Sequence, residues 1–221
     1  VDASGSHGLS CRRSAGRVAR HQYINDILWR AMHRANIPAV KEPTGLSRTD
    51  GKRPDGMTMV PWQEGRAALW DVTVRDTLAD SYIASTSLLA GSAAEEAARQ
   101  KEVKYSQLTG TYLFYAVAIE TLGPMCESGR TFISELGRRT AQVTSDQREI
   151  SFLFQRISVA VQRYNSVCIA GTFKDTASEP VDQCYFSSEI HFSSSFYFIF
   201  HAIILVFISF SFFSNPIILV F

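Results

Sequence analysis

RPDGMTMVPWQEGRAALWDVTV, residues 53–74, reads as two short strands joined through a turn, and each strand brings one aspartate. Met57 to Val60 and Ala67 to Val74 are the strands, with Pro61 to Gly65 between them. Asp55 stands between a proline and a glycine at the entry to the first strand, where it is either a turn residue or a ligand. Asp71 interrupts the apolar, β-rich run Leu69-Trp70-Asp71-Val72-Thr73-Val74. A carboxylate buried there without a partner would be costly, so Asp71 either binds something or faces outward. Two carboxylates on adjacent strands form a donor set for a hard cation such as Mg²⁺. Add a positive charge for a developing pentacoordinate phosphate, and the minimum for metal-dependent phosphodiester hydrolysis is present.

Working outward, Ile24, Ile27, Leu28, Ala31, Met32 and Ala35 recur at helical spacing, which predicts an amphipathic helix over 17–35 with Arg20, Arg30 and Arg34 off the stripe. Pro38 and Pro43 bracket a short strand, Ala39 to Glu42, and Thr44 to Lys52 reads as a loop. Beyond the strand pair, Ser92-Ala93-Ala94-Glu95 has the form of a capping box and opens a helix reaching about Thr109. Lys101 and Lys104 fall on the side of that helix shared with Ala97 and Leu108, and Lys104 lies nearer the centre of the stripe. Tyr112 to Ile119 predicts a further strand, and Gly129–Val143 and Arg148–Val167 two closing helices. The class is therefore α/β, in the order αβββαβ with two added C-terminal helices.

The 46% hydrophobic content of the 221 residues suffices for one core, and the net charge of +1 conceals two unlike regions. All 22 basic residues lie at or before Lys174 while four of the 21 acids lie beyond it, leaving residues 1–174 at +5. The first 53 residues alone carry ten basic and four acidic side chains. Such a cluster suits a polyanion, the alternative being a solvated basic face. Cys11, Cys126, Cys168 and Cys184 show no paired spacing, and no signal peptide is visible, which favours a reduced intracellular compartment over a disulfide framework. The opening at Val1 reads as a fragment of a longer polypeptide.

Residues 175–221 are different material, rich in Phe, Ser and Ile and without Lys or Arg. Phe196 to Phe213 approaches the length of a membrane span, but His201, Ser209 and Ser211 interrupt it and no basic flank marks a cytoplasmic side. Translation past a natural coding end is the first reading of this tail, and a membrane anchor the second.

With Pro54-Asp55 on the second strand and Asp71 on the third, the αβββαβ order resembles the PD-(D/E)XK, or restriction-endonuclease-like, core. Within it, the chain is similar to the endonuclease that follows the reverse transcriptase in site-specific non-LTR retrotransposons. HGLSCRRSAGR, GLSRTDGKRPDG, WDVTV and SFLFQRISVAVQRYNSV carry that likeness, which covers about residues 1–173. The resemblance implies that Asp55 and Asp71 hold Mg²⁺, that Lys104 or Lys101 stabilises charge or orients water, and that Arg20-His21 grips a phosphate. Arg17 and Arg53 would join the DNA contact, and Glu42 is either a third acidic ligand or an ordinary strand-end charge. It also divides the chain into a zinc-knuckle remnant and basic linker over 1–16, a nuclease domain over 17–174, and the tail.

Two positions depart from that pattern. The superfamily usually has lysine two residues after the second acid, and here that residue is Thr73, which carries no charge. His7-x3-Cys11 is only half of a zinc knuckle, so Zn²⁺ would need a longer chain. The resemblance further implies DNA and a reverse transcriptase in the same polyprotein as partners, and the nucleus as the place of action. The competing expectations are a catalytically decayed nucleic-acid-binding remnant and a membrane protein anchored through the tail.

Overall fold

The computed structural model describes residues 7–11, 14–46 and 53–172. The chain divides into two units, 1–175 and 176–221, and the second lies wholly outside the described residues, as do the expected tail and Cys184. Six α-helices and one four-stranded mixed sheet make up the described part. In chain order they are α1 (His7–Ser10), α2 (Ala15–Arg34), β1 (Ala39–Lys41), β2 (Gly56–Thr58), β3 (Ala68–Arg75), α3 (Ile83–Thr86), α4 (Ser92–Lys104), β4 (Leu113–Glu120), α5 (Glu127–Thr144) and α6 (Glu149–Ala170). The major elements fall within a few residues of their expected places. The short helices α1 and α3 are additions, since neither is long enough to show a period.

The strands lie in the order β1-β2-β3-β4. β1–β2 and β2–β3 are antiparallel, whereas β3 and β4 run parallel from Ala68↔Leu113 to Arg75↔Glu120. Alternation along the strands divides the side chains between two helical layers. Trp70, Val72, Val117 and Ile119 point into a core with Ile24, Leu28 and Met32 of α2, Phe132 and Leu136 of α5, and Leu153 and Ile157 of α6. On the other face, Ala116 and Ala118 meet Ala94, Ala97 and Ala98 of α4. Small side chains on both surfaces let α4 lie close to the sheet. Asp71 belongs to this second face, so a residue on α4 can reach it.

The expected capping box at Ser92 is not what starts α4. Gly91, at φ 91°, is the N-cap, and Ser92 Oγ is buried without a partner. Glu120, at the end of β4, accepts hydrogen bonds from the N–H groups of Ala93 and Ala94 at 2.9 and 3.3 Å. Its negative charge complements the positive end of the helix dipole. Glu95 faces away from Ser92 and accepts from Glu127 N at the start of α5. The helix also stops earlier than expected. Tyr105 turns out of helical geometry at φ −106°, ψ 14°, and a single 3₁₀ turn, Ser106–Leu108, follows.

Of the expected knuckle segment, His7–Ser10 forms α1 and Cys11 follows it outside the helix. α1 packs on α6, with Gly8 so close that an added Cβ would lie 2.3 Å from the Cys168 carbonyl oxygen. Cys11, Cys126 and Cys168 are free thiols. Among the described residues no helix is long and apolar enough to cross a membrane. Trp62 and Trp70 are buried in the main core.

Candidate functional site

Gly56 explains how Asp55 comes to its position. It pairs with Trp70 across the β2–β3 ladder, and the indole lies over it so closely that an added Cβ would stand 2.0 Å from a ring carbon. The Pro-Asp-Gly sequence therefore serves a close approach between strands. Asp55 N donates to Trp70 O at 3.0 Å, and Asp55 Oδ2 accepts from Val72 N at 2.6 Å, so the carboxylate takes the place of a ladder carbonyl. Asn25 on α2 ties the two strands together: it accepts from Trp70 Nε1 at 2.8 Å and donates to Asp55 O at 3.3 Å.

His21, one helical turn before Asn25, meets the same carboxylate through Nε2 at 2.9 Å from Asp55 Oδ2. That hydrogen bond raises the His21 pKa above its ordinary value, against burial that lowers it. Among the described residues, Asp55 Oδ1 receives no hydrogen bond.

Asp71 is buried, its side chain only 4% exposed, which removes the outward-facing alternative. Both of its oxygens are engaged. Lys101 Nζ donates to Oδ1, and the Tyr105 hydroxyl lies 2.7 Å from Oδ2. The lysine order thus reverses the expectation. Lys101 stands one turn after Ala97 on the same face and reaches Asp71, whereas Lys104 ends the helix and donates to Tyr105 Oη at 2.7 Å.

His21, Glu42, Arg53, Asp55, Asp71, Lys101 and Lys104 line one open cleft of about 430 Å³. Seven of the sequence-predicted residues thereby come together. Within the cleft Glu42 is ion-paired with Arg53, as Asp71 is with Lys101. Among the described residues no group of three or more His, Cys, Asp and Glu side chains is assembled for a metal, and this includes His7 and Cys11. Mg²⁺ retains several waters and is commonly held by one or two carboxylates, a donor set that Asp55 and Asp71 could supply.

Arg20 and Arg17 lie elsewhere. Arg20 is 1% exposed, donating to Asn165 Oδ1 at 2.6 Å and to Leu9 O at 3.3 Å, so it joins α2, α6 and α1 and has no path to a phosphate. Burial pulls its pKa down from the usual arginine value. Arg17 donates to Ser10 O at 2.7 Å. Asn25 and Tyr105 are the site residues that sequence reasoning missed. Asn25 carried a usable signal in its i, i+4 spacing from His21, whereas Tyr105 carried none.

No protein-family model matches this chain, and no curated protein matches it.

Proposed function

We propose that the chain is a metal-dependent DNA endonuclease with a restriction-endonuclease-like core, of the kind that follows a reverse transcriptase in non-LTR retrotransposons. Support comes from the convergence of residues as far apart as His21 and Lys104 on one cleft, with two acids on adjacent strands and a lysine against one of them. Asp55 and Asp71 would hold Mg²⁺, which when bound supplies positive charge to phosphate oxygens and makes water more acidic. Lys101 brings a positive charge into the same cleft, suited to the charge that develops on the phosphorane. His21 holds the Asp55 carboxylate in orientation, and Arg53 at the rim offers a contact to the DNA backbone. Nicking would leave a 3′-hydroxyl for a neighbouring reverse transcriptase to extend, with the nucleus as the place of action.

The test is conversion of supercoiled plasmid to open circles by the full chain in Mg²⁺, with a chelator as control. Asp71→Asn should abolish nicking and leave DNA binding nearly intact. Nicking by that variant at the wild-type rate would overturn the assignment.

A second reading, a non-catalytic nucleic-acid-binding remnant, is favoured by Thr73 in place of the superfamily lysine. It predicts a gel shift without cutting under every divalent ion.

A further inference from the structure

Tyr105 is buried, 1% exposed, at the point where α4 ends and the cleft begins. Its ring packs against Phe114 of β4 at 4.9 Å between centroids, which fixes where the hydroxyl lies. Among the described residues that hydroxyl meets three groups. Asp71 Oδ2 is at 2.7 Å, Lys104 Nζ at 2.7 Å and the Arg53 carbonyl oxygen at 3.0 Å.

A phenol has one proton to give and lone pairs to accept with, and an ammonium can only donate. Lys104 therefore donates to Tyr105 Oη, and the phenol proton goes to the strongest acceptor in reach, the Asp71 carboxylate. The nearby Arg53 carbonyl stands two residues before Asp55. One hydroxyl thus touches the carboxylate of one acid and the backbone leading to the other. Lys101 and Tyr105 hold different oxygens of Asp71, so loss of Lys101 from Oδ1 would leave the carboxylate orientation set through Oδ2.

We propose that Tyr105 is a positioning residue for the two-carboxylate cation site: its hydroxyl orients the Asp71 carboxylate. The inference rests on the nuclease reading for its biological meaning, but its physical content concerns divalent-ion affinity alone. Partners that orient ligating carboxylates typically contribute ten- to a hundredfold in metal affinity or activity.

The test substitutes Tyr105→Phe in the full chain, which deletes the hydroxyl and keeps the ring on Phe114. Mn²⁺ is titrated without DNA, the free ion being read by electron paramagnetic resonance, and far-UV circular dichroism verifies the fold. Mn²⁺ affinity should fall about tenfold or more. In plasmid nicking kcat should fall with KM for DNA unchanged, since Tyr105 is buried. A role confined to packing would lower the melting temperature and leave the Mn²⁺ affinity and the kcat unchanged, and that result overturns the proposal. Should the wild-type chain bind Mn²⁺ but never cut, the nuclease reading falls, while the affinity difference still decides the role of Tyr105. A wild-type chain that binds no Mn²⁺ overturns both.

Discussion

Lys101 and Lys104 sit three residues apart on the same helix, yet one touches a carboxylate and the other a phenol. The difference arises from where the helix stops. A stripe drawn through Ala97 and Leu108 makes Lys104 the central cation, but Leu108 belongs to a separate 3₁₀ turn, so the extrapolated face does not exist. Lys101→Ala should therefore cost roughly 10²-fold or more in nicking rate, the scale of losing a charge-stabilising donor, and Lys104→Ala less than about tenfold. Equal losses in plasmid assays, or a larger loss at Lys104, would return the central role to the helix end. The burial of Asp71 was legible, because a carboxylate inside an apolar strand has few inexpensive explanations, whereas Asp55 between a proline and a glycine read equally as a turn residue. The role of Tyr105 was not legible, since an aromatic at a helix end looks the same in sequence whether its hydroxyl meets water or a carboxylate.

α4 illustrates what a short sequence window can and cannot disclose about an element. Its existence is readable from the alanine-rich pattern and its start from Ser92 and Glu95, while in the structure the first-turn N–H of Ala93 is accepted by Glu120, 27 residues beyond it. Capping by a side chain from another strand leaves no local signature. The two assignments differ measurably. A serine serving as N-cap costs about 1 kcal/mol when replaced by alanine, whereas Ser92 Oγ is buried without a partner and its removal should be neutral or stabilising. Glu120→Ala strips the first turn of α4 of its acceptor and should cost about 1–3 kcal/mol. Urea midpoints of the two variants decide between them, and a loss at Ser92 exceeding that at Glu120 would restore the local box. Strands were easier to read than caps. Alternation fixes which face a strand residue occupies, and the eight-residue parallel pairing of β3 with β4 follows from one helix-containing crossover.

At the scale of the whole molecule, Arg20 separates charge that recognises a ligand from charge that holds the fold. Its neighbour His21 lines the cleft, while Arg20, about 100° round α2 from it, bridges to Asn165 across 145 residues of chain. No inspection of residues near position 20 could reveal that partner, so a basic pair in sequence became one site residue and one internal brace. Arg20→Met should lower stability by about 1–3 kcal/mol, through the donors lost to Asn165 and Leu9 O. DNA affinity of the folded variant should be unchanged. A weakened gel shift with an intact melting curve would return Arg20 to the interface. The cleft, too, depends on distant closure. His21 meets Asp55 across 34 residues, Lys101 meets Asp71 across 30, and Tyr105 meets the Arg53 carbonyl across 52. Helices can form from local contacts, but joining segments this far apart carries a loop-closure entropy that only the finished sheet offsets. In folding kinetics, then, helical signal should rise first and competence to bind a divalent ion last, so that a chain stalled with its helices in place is still blind to its ligand.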